Sequence, residues 1–198
     1  MIMTIKQTRE LFESKYYKPA YKAWRIDSEK AGKDIIGENY EMFRKELYEK
    51  LGFEVDAKTK KVFGTNYNPD LIIKNNNEIV IIEEAKGHYV DSCFLTRAIS
   101  DAAKIMNKCI KDDINLPYFI LSCSTKMRGF EERFVEEIEV LRKDIREALL
   151  VKFIYLPLCE HGRIQSKNYF TTDNNCFELN NELIKKQNNI IMEIKNES

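Results

Sequence analysis

The sequence predicts an α/β fold, a mixed central β-sheet flanked by helices, and two patterns carry that expectation. Apolar positions recur at helical spacing in three long stretches, and between them lie short runs of β-branched residues bounded by turn residues. Read in order, the pattern is helix, three strands, helix, strand, helix, strand. The later strands need helical crossovers in order to lie parallel. Length sets the scale: 198 residues, 43% of them apolar, with no internal repeat or Pro/Gly/Ser-rich linker, suit a single domain. Its core is expected over residues 37–158, with a helical N-terminal extension over 1–36 and a polar, partly helical C-terminal extension over 159–198.

Each element has a local reason. Residues 5–17 and 20–33 read as helices separated at Lys18-Pro19, since proline lacks the N–H that an unbroken helix uses. After Gly37, the positions Tyr40, Phe43, Leu47 and Leu51 lie on one helical face, and Gly52 is placed as the stop. Phe53 to Val55 opens an extended segment, residues 58–68 are polar and turn-rich, and residues 70–74 form a short strand. Asn75-Asn76-Asn77 makes the next turn, and residues 78–86 form a strand rich in β-branched side chains. From Ser92 as N-cap, the residues Phe94, Leu95, Ala98, Ile99, Ala102, Ile105, Met106 and Cys109 trace the buried face of a long helix. Its polar face carries Thr96, Arg97, Asp101 and Lys104. Residues 117–122 read as a buried strand, Phe130, Phe134, Ile138, Leu141 and Ile145 as the stripe of one further helix, and residues 151–156 as another strand. A last helix is expected from about Glu178 to Lys195.

Composition narrows the function. The 32 basic and 32 acidic side chains cancel, which argues against coating nucleic acid through bulk positive potential. The charges are nevertheless segregated: residues 58–74 hold four lysines against Asp70 alone, whereas residues 131–147 hold seven acids against four bases. A basic side and an acidic side follow. The five cysteines are odd in number and widely spaced, so neither a disulfide framework nor a zinc knuckle is indicated. The longest aliphatic run, Ile79 to Ile82, is far short of a membrane span, and the first residues lack a signal peptide's apolar stretch. A cytoplasmic protein with no membrane partner is the expectation.

The chemistry gathers around the Asn turn. Pro69-Asp70 opens one strand and Glu84-Ala85-Lys86 closes the next, so a hairpin makes their charged ends neighbours. Side chains alternate along a strand, which puts Glu84 and Lys86 on one face and Glu83 and Ala85 on the other. Glu84 is therefore the candidate rather than Glu83. Two carboxylates brought together repel unless a cation lies between them, and oxygen-only ligands favour a hard divalent ion. Mg²⁺ held by Asp70 and Glu84 fits best, with Mn²⁺ as a substitute. Beside such an ion, the ammonium of Lys86 stabilises charge on a phosphate under attack or helps to orient or deprotonate the attacking water. The parts suit phosphodiester hydrolysis.

At this point the chain resembles the PD-(D/E)xK nuclease superfamily, through Pro69-Asp70 and, after a gap of thirteen residues, Glu84-Ala85-Lys86. The context matches too, because the superfamily carries the motif on a hairpin preceded by a helix and followed by helix, strand, helix and strand. The likeness spans residues 37–156. It implies a restriction-endonuclease-like core, with Asp70, Glu84 and Lys86 as catalytic residues. It also implies a glutamate on the first helix near the metal, for which Glu41 is the candidate and Glu38 the reserve.

Around this centre, Lys58, Lys60 and Lys61 form a basic loop able to grip phosphates, and Arg97 is a further candidate phosphate ligand. His88 and Tyr89 follow the motif lysine directly, and the polar stretch containing Arg163 and Lys167 has side chains of the kinds that read base edges. His161 lies in the same stretch. Size and neutral charge resemble the small type II restriction endonucleases, commonly homodimers that cut both strands of double-stranded DNA at a short palindrome. A cognate DNA methyltransferase would then belong to the same system without being a physical partner. A junction-resolving or repair nuclease of the same fold is the alternative, and a catalytically silent DNA-binding or assembly subunit is the alternative from another class.

Overall fold

A five-stranded sheet in the order β1-β2-β3-β4-β5 forms the centre of the computed structural model, which describes residues 3–20, 22, 36–57, 61–159 and 179–198. The strands are β1 (Glu54–Ala57), β2 (Leu71–Asn75), β3 (Glu78–Tyr89), β4 (Tyr118–Thr125) and β5 (Phe153–Cys159). β1 pairs antiparallel with β2 and β2 with β3, while β3, β4 and β5 run parallel to one another. The sheet is therefore mixed, as the element order predicts.

The helices are α1 (Ile5–Phe12), α2 (Ile36–Lys50), α3 (Ser92–Lys111), α4 (Phe130–Glu139), α5 (Lys143–Lys152) and α6 (Asn181–Glu197). They cover both faces of the sheet. On one face α1, α2 and α6 pack through Phe12, Tyr40, Phe43, Leu47 and Ile191 against Leu71, Ile73, Ile81 and Leu156. On the other, α3, α4 and α5 pack through Leu95, Ala102, Ile105 and Leu149 against Ile72, Ile82, Phe119 and Leu121. Consecutive residues of β2 serve different cores, and so do those of β3 except at Val80 and Ile81, which face the same core where a bulge opposite Ile73 and Lys74 interrupts the alternation. Among the described residues, no helix is long and apolar enough to cross a membrane.

Turn chemistry sets the register at the hairpin's end, and the bulge opposite Ile73 and Lys74 shifts it by one residue before Asp70 is reached. Asn76 and Asn77 both take left-handed conformations, φ 51° and 66°, the arrangement that a two-residue hairpin loop requires and that asparagine tolerates. Gly52, at φ 82°, closes α2, and the ammonium of Lys195 on α6 donates to the carbonyls of Leu51 and Gly52, at 2.5 and 2.9 Å. A cation there satisfies acceptors that the helix end leaves open. The C-terminal helix is in this way tied to the helix that precedes the hairpin.

Several element boundaries differ from the sequence expectation. No break occurs at Lys18-Pro19: α1 passes into a π turn over Glu13–Tyr17, and helical geometry continues through residues 18–20. The wider turn, in which the Lys18 N–H donates to the Glu13 carbonyl, relieves the crowding that proline causes in a tight α turn. The cap of α3 is Asp91 rather than Ser92, its carboxylate accepting from the Phe94 N–H at 2.7 Å. The stripe from Phe130 to Ile145 is divided between α4 and α5 by a break at residues 140–142, where Arg142 takes an extended conformation and donates to Asp144 and Asn107. Apolar spacing persists across the break because both helices cover the same core. Strand β3 runs three residues past Lys86, and β5 begins two residues later than expected. The second predicted helix, residues 20–33, lies almost wholly outside the described residues.

Candidate active site

Asp70 stands immediately before β2, and Glu84 and Lys86 lie in the second half of β3. Leu71 pairs with Glu83, which carries Asp70 to the level of Glu84, and the Ala85 N–H donates to Asp70 Oδ2 at 2.8 Å. Alternation sorts the faces. Ile72 and Ile82 belong to the α3 side, so Asp70, Glu84 and Lys86 share that side, while Leu71, Ile81 and Ala85 face α2.

Glu83 illustrates what the other face does with a charge. It is fully buried, and its carboxylate accepts from Arg44 Nε at 2.5 Å and Nη2 at 3.0 Å, from Ser122 Oγ at 2.5 Å, and from the Tyr48 hydroxyl. Arg44 donates its remaining fork to Gln187 of α6. Every partner of Glu83 is internal and already engaged. That carboxylate is committed to holding helices against the sheet.

Glu84 has no such settlement. Burial pushes its carboxyl up to about 7, and the neighbouring Asp70 charge acts in the same direction, against the Tyr67 hydroxyl and the Lys86 charge. Asp70 is also raised by burial, opposed by the Ala85 N–H and by Lys86. Two neighbouring acids whose ionised forms are disfavoured by burial, Glu84 also by the Asp70 charge, hold a place for a proton or a cation.

A cleft of about 240 Å³ opens over Glu84 and Lys86, walled by Tyr67 from the loop before β2 and by Phe94, Arg97 and Asp101 of α3. The Tyr67 hydroxyl donates to Glu84 Oε1, and its ring stacks on Phe119 with centroids 6.2 Å apart. Burial and the adjacent Glu84 charge keep that hydroxyl protonated. The Lys86 ammonium lies 4.3 Å from the centroid of the Phe94 ring.

The donor set fits a hard divalent ion. Mg²⁺ takes one or two protein carboxylates and fills its other positions with water and substrate oxygen. Among the described residues, no three His, Cys, Asp or Glu side chains gather into a closed metal cage. Glu84 lines the open cleft and Asp70 stands on the same side of the sheet at its level, an arrangement that leaves room for the water and substrate oxygen that Mg²⁺ takes beside one or two carboxylates.

The other sequence candidates fall in different places. Arg97 lines the cleft. Glu41 and Glu38 ride on α2, the helix on the opposite face, and neither is among the residues that wall the cleft. Lys61 is exposed, at φ 69° ahead of the short 3₁₀ turn Val62–Gly64. His88 and Tyr89 take the last two positions of β3. Lys58, Lys60, His161, Arg163 and Lys167 lie outside the described residues.

Tyr67, Phe94 and Asp101 are among the cleft residues that escape the sequence reading as site residues. Tyr67 lies in a polar loop with no periodicity to mark it. Phe94, Arg97 and Asp101 do carry a signal, since positions i, i+3 and i+7 share a helical stripe. Helical spacing puts Phe94 on the buried face and the other two on the polar face, whereas the cleft lies on the border between them. The chain matches no family model, no curated protein and no solved structure.

Proposed function

We propose that this chain is a Mg²⁺-dependent endonuclease acting on double-stranded DNA, with a restriction-endonuclease-like core of the PD-(D/E)xK kind. One observation carries the reading: Asp70, Glu84 and Lys86 converge on one face of a hairpin, beside a cleft, with both carboxyls raised by burial and Glu84 pushed to about 7. A structural ion pair accounts poorly for that convergence, because a settled pair looks like Arg44 and Glu83.

Asp70 and Glu84 would hold the ion, which when bound polarises a phosphoryl oxygen and lowers the pKa of a coordinated water. Asp70 is oriented by the Ala85 N–H and Glu84 by the Tyr67 hydroxyl. Lys86 then donates to a non-bridging phosphate oxygen and stabilises the charge that grows there in the transition state. Arg97, on the cleft wall, contacts the phosphodiester backbone and sets register without reading sequence.

Neutral overall charge supports specific over bulk electrostatic DNA binding, which favours a type II restriction endonuclease acting as a two-fold dimer at a palindrome. Incubation of the purified protein with a mixed-sequence plasmid and Mg²⁺ tests this directly. Discrete fragments are expected. Smearing would point to a non-specific nuclease, and an uncut plasmid with retained DNA binding to a silent subunit.

A further inference from the structure

We propose that Phe94 is a positioning residue that seats two cations, Lys86 and Arg97, on one aromatic ring and so builds a seat for the anionic DNA backbone. The proposal rests on the nuclease reading for its choice of ligand and on separate geometry for the seat. Strand β3 ends at Tyr89 and α3 begins at Ser92, so the chain turns back over its own strand within two residues. Asp91 fixes the first helical turn by accepting from the Phe94 N–H at 2.7 Å. That turn delivers the Phe94 ring to Lys86, whose ammonium lies 4.3 Å from the ring centroid. One turn later the Arg97 guanidinium carbon lies 5.2 Å from the same centroid.

Two consequences follow from charge and flexibility. Lys86 feels both Asp70 and Glu84, and its four-carbon stem is long enough to fold onto either. An ammonium resting on a carboxylate would compete with a divalent cation for the same oxygens, and the ring face supplies an alternative resting place outside that contest. Two cations sharing one ring also repel each other, and an anion bound between them relieves the repulsion. Lys86, Phe94 and Arg97 all wall the cleft, so the relief is available to a phosphate entering it.

The test compares Phe94→Leu with Phe94→Tyr, the first removing the π face and the second keeping it. In the metal-free protein the Lys86 Cε protons should resonate upfield through the ring current, with the shift lost in Phe94→Leu and retained in Phe94→Tyr. Affinity for a short DNA duplex in EDTA should fall about threefold, and Mg²⁺-dependent single-turnover cleavage about tenfold, in Phe94→Leu only. An unshifted Lys86 in wild type, or a shift that survives Phe94→Leu, overturns the proposal. So does loss of the shift with duplex affinity unchanged. A wild-type protein that shows the shift and the Phe94-dependent duplex affinity but cuts no DNA overturns the nuclease reading and leaves the cation seat standing. If Phe94→Leu fails to fold, Phe94→Tyr with an unshifted Lys86 also counts against the seat.

Discussion

Glu83 and Glu84 are adjacent in sequence and face opposite cores, and the contrast between them is between a charge that is fully answered inside the protein and one that borders an open cleft. Glu83 is sealed among Arg44, Tyr48 and Ser122, with each oxygen answered by a donor. Glu84 is partly buried beside a second acid and an open cleft, with one hydroxyl donor. A buried pair with its geometry satisfied is a joint; a pair of acids held up by burial beside an open cleft is the arrangement the proposed metal site uses.

The largest way to break the comparison is on the open face. Asp70→Asn should lower Mg²⁺-dependent plasmid cleavage by about three orders of magnitude or more, because it removes one of the two carboxylates proposed to hold the metal. Metal-free DNA binding, read by gel shift in EDTA at fixed salt, should be equal or tighter, since a negative charge beside the phosphate is gone. Lys86→Ala should abolish cleavage too, but with modestly weaker binding. Loss of DNA binding and thermal stability together in Asp70→Asn would place Asp70 with Glu83, as a joint.

The closed face should respond in the opposite way. Arg44→Met strands a fully buried carboxylate and should cost about 3–5 kcal/mol in denaturant unfolding. Adding Glu83→Gln to it should recover a large part of that loss. Glu84→Gln, by contrast, should leave stability unchanged or improved. If Arg44→Met and Glu84→Gln destabilise equally, the distinction between the two faces fails.

A smaller effect lies in pH. Glu84 is raised from 4.5 to about 7, so between those values the folded, metal-free protein holds a proton that the unfolded chain has released. Its contribution to stability is therefore fully present below pH 4.5 and is lost as pH rises through about 7. Differential scanning of wild type and Glu84→Gln in EDTA should show this slope in the first and not in the second. Smallest is Tyr67→Phe, which removes one hydrogen bond to a carboxylate; about 1.5–3 kcal/mol at most, less what a water restores, sets the expected loss of metal affinity. Mn²⁺ titration by paramagnetic relaxation measures it, and an unchanged affinity would remove Tyr67 from the site.

Much of this was legible because local rules and tertiary demands agree. The Asn turn and the β-branched strands point to the hairpin, and the period-two alternation to opposite faces for Glu83 and Glu84; the structure has the hairpin and those opposite faces, with one bulge between the turn and Glu83. The stripe from Phe130 to Ile145 misled because hydrophobic periodicity reports which side is buried and not whether the axis is continuous. Pro19 misled for a related reason: the rule against proline in a helix assumes α geometry, and the π turn before it changes the geometry.

The sequence by itself determined the order of the strands along the chain, the mixed sheet, the hairpin turn and the shared face of Glu84 and Lys86, all of which follow from neighbours within a few residues or across one turn. The bulge that sets Asp70 level with Glu84 rather than Glu83 belongs to the folded sheet. Only the tertiary structure decided that Arg44, 39 residues from Glu83, would neutralise it, and that Tyr67 and the Phe94 stripe would wall the cleft. Those outcomes depend on how α2 and α3 are set against the two faces of β3. Helix placement is fixed by the packing of both cores at once, and no local pattern in the chain encodes it.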